Sequence, residues 1–595
     1  MESSVQGSVV IIGEPCQTPV QLFRSETFQR LLGQFLRRLE KRGSPLLAAV
    51  DPFRQGEAPP ANESERAGGK GGSAYDLAGI ADLLVLLSSR RLENVRNLAP
   101  RFAAALADRI VWHDFIEEFY NFWRSHERFM IVEGRENLPG VMLPRHQSLI
   151  GLNETVKSLI LETYRQITAN LTGAFPRVCR QLPAGAGVGL LVERAEWRLP
   201  SETYAPLAEI PFIQQVVIEP PLIYYPKRNF RRGSFVPVAE NPLPRAKLNP
   251  SEWLCYPAMV GELLTFIFFH RRYLAMGASL ANLFEFAEAR DFAGKTPDAI
   301  LVFGVDPEVV GEEATVYCED RAAGVTLGFV AHSEDVDYFG YFKKMALTLH
   351  NVIMIERGRL PVHGAMASIE LRTGQSANIV LVGDSGAGKS ETLEAFRVLA
   401  DEYIRRLTVV FDDMGSLRLA EDGTVLGYGT EIGAFVRLDD LQPGFAYSEV
   451  ERAIFMNPHK TNARLVIPLT PYRDVVAGHR VDYFLYANNY ERVEEGRPYL
   501  EFFSNVQAAL RVFSEGTRMA KGTTDEHGLT GSYFANPFGA PQKREQHDRL
   551  ARRYVEAMMR AGVKVGQLRT QLGLEGYELG GPELAARALF DHLRH

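Results

Sequence analysis

Ile379-Val-Leu-Val-Gly-Asp-Ser-Gly-Ala-Gly-Lys-Ser-Glu-Thr392 runs from four apolar residues into a glycine-rich turn and then a helical pattern. Gly383, Gly388, Lys389 and Ser390 fill the fixed positions of the G-x-x-x-x-G-K-[ST] phosphate-binding loop. Residues 379 to 382 predict a short strand covered on both faces, because such strands read as continuous apolar runs. From residue 391 to 399, Leu393, Phe396, Val398 and Leu399 mark the apolar positions of a helix. The glycines let backbone N–H groups turn inward and close on phosphate oxygens. Gly383, Asp384, Ser385, Gly386, Ala387, Gly388, Lys389, Ser390 and Glu391 form the expected cradle. Lys389 would place a point charge on the β/γ-phosphates, and the Ser390 hydroxyl would ligate Mg²⁺.

A second apolar run, Leu407-Thr-Val-Val-Phe-Asp-Asp413, predicts a strand ending in two carboxylates. In P-loop proteins such a strand end delivers an acidic group beside a phosphate-bound metal. Successive strand residues face opposite sides, so Asp412 and Asp413 should play different roles. Upstream stand Tyr341-Phe-Lys-Lys344 and Leu360-Pro-Val-His-Gly364. Taken alone, the lysine pair reads as a solvated face and the histidine as a packed one.

At 595 residues the chain exceeds one ordinary core. Hydrophobic content of 46% and charged content of 23% are those of a soluble globular protein. A net charge of −7 offers no basic excess for nucleic acid, so no such partner is expected. Cys16, Cys179, Cys255 and Cys318 are scattered without a C-x-x-C pair. They read as reduced thiols in a cytoplasmic protein. No secretory signal is evident, and the apolar run at 263–269 is too short to span a bilayer and reads as a buried helix.

Four segments are expected: an N-terminal segment (1–53), a Gly/Pro-rich linker (54–73), a helix-rich mixed domain (74–324) and a catalytic α/β domain (325–595). Helical spacing dominates from about 75 to 180 and returns at 258–292, while Phe212-Ile-Gln-Gln-Val-Val-Ile, Ala299-Ile-Leu-Val-Phe-Gly-Val and Val325-Thr-Leu-Gly-Phe-Val-Ala read as strands. Residues 548 to 563 read as an amphipathic helix.

The order Lys343-Lys344, His363, the loop at 383–390 and Asp412-Asp413 resembles the ATP-dependent phosphoenolpyruvate carboxykinases. Glu431-Ile-Gly-Ala-Phe-Val-Arg, Ala477-Gly-His-Arg-Val-Asp-Tyr and Phe513-Ser-Glu-Gly-Thr-Arg-Met-Ala-Lys-Gly-Thr-Thr extend it across roughly 325–595. The loop itself looks closer to HPr kinase/phosphorylase. The resemblance implies a carboxykinase-like P-loop domain that interconverts oxaloacetate and phosphoenolpyruvate plus CO₂. It implies that Lys344, His363 and Asp413 hold Mn²⁺ and Ser390 the nucleotide-side Mg²⁺, with Asp412 close by. Lysine ligates only as the free amine, so Lys344 would need a depressed pKa. Lys389 would neutralise the transferring phosphoryl group, and Arg497, with Arg492 as rival, would contact the γ-phosphate.

The family's Thr-Gly-Arg-Ser-Pro-Lys-Asp-Lys segment, which holds the oxaloacetate carboxylate, is missing. Tyr225-Pro-Lys-Arg-Asn-Phe-Arg-Arg-Gly233 offers Arg228, Arg231 and Arg232 in its place, or a solvated charged loop. Gly573-Leu-Glu-Gly-Tyr-Glu-Leu-Gly-Gly581 lacks the Lys and Arg of the family's adenine segment, so pyrophosphate stands beside ATP as donor. Two alternatives remain open: an HPr-kinase-like enzyme acting on a protein serine or small hydroxyl metabolite, and a non-catalytic nucleotide sensor. The oligomeric state, monomer or small homo-oligomer, is open too.

Overall fold

The computed structural model describes residues 4–6, 9–13, 16–55, 74–133, 145–173, 184–231, 234–384, 386–389, 391–396, 404–438, 452–521, 527–578 and 580–594. Ser385, Ser390, Arg232, Cys179 and most of the expected linker lie outside them. The fold is mixed α/β. Among the described residues no helix is long and apolar enough to cross a membrane.

Contacts divide the chain into two compact units, residues 1–193 with 213–219 and residues 194–212 with 220–595. The boundary expected at 325 falls inside the second. There Val325–Ala331 lies parallel to Ala299–Val305, itself parallel to Leu263–His270, so one ladder spans the expected break.

In the first unit, helices Glu26–Arg42, Leu77–Leu87, Arg109–Arg124 and Arg145–Thr172 accompany parallel strands Val9–Ile12, Glu127–Glu133 and Val188–Glu193. The helix at 77 starts where sequence places it, because the Asp76 carboxylate caps Gly79 N–H at 2.9 Å. Glu127–Glu133 interrupts the helical stretch expected from 75 to 180.

In the second unit, residues 263–269 are a strand rather than the expected buried helix, paired antiparallel with Trp253–Val260. Thr265-Phe-Ile-Phe-Phe269 is β-forming and covered on both faces, so it shows no alternation to reveal it. The site rests on a second sheet beside the buried helix α1 (Phe339–Glu356). The sheet's central strands are β1 (Leu360–Leu371), β2 (Ser376–Val382), β3 (Ile404–Leu419), β4 (Tyr483–Asn488) and β5 (Lys564–Arg569), in the spatial order β3-β1-β2-β4-β5. Strand β2 runs antiparallel to β1 and parallel to β4. Its Val380 and Val382 enter one hydrophobic core with Phe513, Tyr554 and Met558, while Ile379 and Leu381 enter another with Phe396, Leu589 and Phe590. Burial on both sides explains the unbroken apolar run, and each such side chain contributes about 1.5–3 kcal/mol. A further four-stranded sheet contains Gly433–Arg437 opposite Arg464–Pro468.

Candidate functional site

The chain leaves β2 into the loop as the sequence predicts. Gly383 N–H donates to the His363 carbonyl at 3.0 Å, and Ala387 N–H to the Asp384 carbonyl at 3.1 Å. Lys389, 6% exposed, turns its Nζ back to the Asp384 carbonyl at 3.1 Å. Thr392 Oγ1 donates to the Gly388 carbonyl at 2.6 Å as the helix opens. Neighbouring strands hold the loop's outer side. Asn489 Nδ2 donates to the Gly386 carbonyl at 2.9 Å, and Thr570 Oγ1 to that of Ala387 at 2.8 Å. Gly388 is required: at φ 93°, an added Cβ would stand 2.7 Å from Thr570 Oγ1.

Antiparallel register places His363 opposite Met414 and Gly364 opposite Asp413, bringing the predicted histidine and aspartate together. His363 is 1% exposed, and its Nε2 lies 2.8 Å from Asp413 Oδ1. Its Nδ1 donates to the Ala535 carbonyl. A carbonyl can only accept, so Nε2 is the nitrogen left to face Asp413, and that contact needs a second proton or a cation between the two groups. Asp413 Oδ2 takes the Lys343 ammonium at 2.8 Å. Burial opposes the Asp413 charge, yet Lys343 and His363 hold its carboxyl well below the usual range. Strand β3 does not end at the two aspartates but continues to Leu419. Asp412 is half-buried opposite Ala365 and acts on Glu431 through its charge.

Lys344 lies on α1 with its Nζ 4.9 Å from the centre of the Phe538 ring. Desolvation, then the nearby Arg231 guanidinium, pushes its amine down to about 8. Among the described residues of the basic cluster, Arg231 acts on Lys344 through its charge, while Arg228 pairs with Asp335 at 2.6 Å. The loop carboxylate of Asp384 meets Arg518 Nε at 3.2 Å and His363 Nδ1 at 3.7 Å. Arg497 gives its exposed guanidinium to Glu494 at 3.2 Å on a surface turn.

Two residues join the site that the sequence analysis did not single out. Glu431 is 3% exposed, and its Oε1 lies 3.2 Å from Lys343 Nζ. Burial pushes its carboxyl up to about 8. Arg464 lies directly opposite Arg437, its guanidinium 5.5 Å from the Phe435 ring centre and its buried Nε without a hydrogen-bond partner. The Lys343 ammonium stands 5.9 Å from the same ring. The available signal was a lone arginine opening the apolar run Arg464-Leu-Val-Ile-Pro.

Among the described residues no group of three or more His, Cys, Asp or Glu is set to hold a metal ion. A mixed donor set of one imidazole nitrogen, one carboxylate and one amine is what His363, Asp413 and Lys344 offer. Those types suit a divalent ion that accepts nitrogen as well as oxygen. No protein-family model matches the chain, and no curated protein matches it.

Proposed function

We propose that the chain is a metal-dependent phosphotransferase with a phosphoenolpyruvate carboxykinase-like domain, interconverting oxaloacetate and phosphoenolpyruvate plus CO₂ with ATP or pyrophosphate as donor. One observation carries the proposal: the His363–Asp413–Lys343 network, with the depressed Lys344 amine, adjoins a phosphate loop whose lysine is 6% exposed. Lys344, His363 and Asp413 would hold Mn²⁺, and Ser390, outside the described residues, would hold Mg²⁺. A bound divalent ion supplies charge stabilisation to the phosphoryl group and the enolate. Loop N–H groups and Lys389 would bind the donor's phosphates and neutralise charge that develops on transfer. Decarboxylation breaks the C–C bond and leaves its electron pair as an enolate. The enolate oxygen then attacks the terminal phosphorus as the donor's bridging P–O bond breaks. Lys343, held by two carboxylates, is a fixed cation for the transferring group, and Arg231 and Arg464 are candidates for the substrate's anionic groups.

The test is formation of oxaloacetate from phosphoenolpyruvate and bicarbonate with Mn²⁺ and Mg²⁺, coupled to malate dehydrogenase, with ADP, GDP or phosphate as acceptor. Turnover with one of them supports the proposal and names the donor. Silence with all three, in protein that binds pyrophosphate or nucleotide, overturns it.

Glu431 favours a second reading with the same site and a hydroxyl acceptor. An enolate has no proton to lose, whereas a hydroxyl does, and Glu431, buried beside Lys343, could accept it once ionised, above about pH 8. CO₂-independent transfer of labelled phosphate to a protein or alcohol would distinguish this reading.

A further inference from the structure

Phe534, Ala535 and Asn536 stand in succession at φ of 47°, 59° and 58°. The left-handed region costs about 1–2 kcal/mol for each non-glycine residue, somewhat less for asparagine, and such strain persists only where surroundings impose it. Here they do. Phe534 and Ala535 are 3% and 0% exposed. The Phe534 ring packs against Phe513 at 6.2 Å and His547 at 5.0 Å between centroids. Ala535 N–H donates to the Ser532 carbonyl and Asn536 N–H to that of Tyr533, both at 2.7 Å. Tyr533 donates its hydroxyl proton to Asp548 Oδ1 at 2.6 Å. The segment is thereby fixed to helices Val506–Glu515 and Arg544–Arg560.

The consequence lies on the other side of the turn. Its carbonyl at Ala535 accepts from His363 Nδ1. Two residues on, the Phe538 ring lies 5.5 Å from the His363 ring and 4.9 Å from Lys344 Nζ. The Phe538 carbonyl accepts from Asn351 Nδ2 on α1 at 2.9 Å. Gly539, at φ 85°, lets the backbone lie on α1, where a Cβ would come within 3.0 Å of Val352 Cγ2 and 3.2 Å of the Thr348 carbonyl.

We propose that residues 534–538 form a positioning clamp, in which the left-handed turn fixes the tautomer of His363 through the Ala535 carbonyl and seats the Lys344 amine against Phe538. Its use in phosphoryl transfer rests on the function proposed above. The clamp itself does not, because the turn, the carbonyl and the ring are features of the resting fold. Phe538 and Ala535 act through His363 and Lys344 and are positioning residues.

The test uses Phe534→Leu and Phe538→Leu in the full chain, with ¹⁵N-histidine NMR as the first readout. The His363 signal is assigned by its loss in His363→Gln. The wild type should show His363 protonated at Nδ1. Both leucine variants keep every carbonyl and a buried apolar side chain but remove the ring that holds the turn in place, so they should stay folded and show a mixture of His363 tautomers. Mn²⁺ titration by EPR should show affinity about tenfold lower in the variants, the usual scale for loss of a group that orients a ligand. Folded variants with an unchanged His363 signal would overturn the clamp. So would a wild-type His363 protonated at Nε2 alone, or loss of folding in both variants. A tautomer change without Mn²⁺ binding in any of the proteins would sustain the clamp and remove the metal assignment.

Discussion

Glu431→Gln should make the protein more resistant to unfolding in mild alkali. Glu431 is 3% exposed, and the cation beside it, Lys343, is 3.2 Å away but held more closely by Asp413 at 2.8 Å. Burial raises its carboxyl from 4.5 to about 8. At about 1.4 kcal/mol per pH unit, that gap bounds the effect at about 5 kcal/mol. The sign follows from proton binding. Between the two values the folded state keeps a proton that the unfolded state has released, so stability is complete below 4.5 and falls as pH rises toward about 8. Glutamine is nearly isosteric with the protonated acid and cannot titrate. Below about pH 5 the variant and wild type should agree within about 1 kcal/mol, with the variant then gaining steadily to about pH 8. Denaturant midpoints followed by tryptophan fluorescence from about pH 5 to about pH 9 give the difference directly. A difference independent of pH would refute the argument. A variant less stable at the alkaline end would show Glu431 ionised and paired with Lys343 throughout.

Asp413→Asn leaves the buried Lys343 with Glu431 alone and removes the His363 contact, so it should cost about 3–5 kcal/mol in denaturant unfolding at neutral pH. Because the Asp413 carboxyl is held below its ordinary 3.8, that gap should persist above this value and close only in strong acid. If Lys344 is a ligand, Mn²⁺ affinity measured by EPR should climb about tenfold per pH unit and level off near about 8, and Lys344→Met should abolish the slope. Lys389→Ala removes a hydrogen bond only to the Asp384 carbonyl, so unfolding should barely change, while pyrophosphate affinity by calorimetry should drop by about 1.5–3 kcal/mol. Arg497→Ala should change stability by less than about 0.5 kcal/mol in denaturant unfolding; under the proposed function it should leave turnover intact, whereas Arg464→Ala should raise the KM for phosphoenolpyruvate.

The strand–loop–helix at 379–396 was legible because two independent signals coincide: an apolar run that serves two cores, and glycines at 383 and 388, where a side chain would collide with Ala387 and Thr570 respectively. Sequence also marked His363 and Asp413, but their contact depends on register between β1 and β3, which no local pattern encodes. Residues 263–269 misled for the opposite reason to β2: flanked by no loop motif, a run buried on both faces has no period to separate strand from helix. Glu431 and residues 534–536 were illegible in a deeper sense. A glutamate between Thr430 and Ile432 shows nothing unusual until burial removes its water, and Phe-Ala-Asn carries no glycine to announce a left-handed turn. Both are imposed by tertiary packing against local preference. The buried carboxyl and the strained turn converge on one network: Glu431 reaches Asp413 through Lys343, and Ala535 reaches it through His363. Folding energy is thus spent on both sides of a single aspartate, as expected where charge and ligand geometry must be set before a substrate arrives.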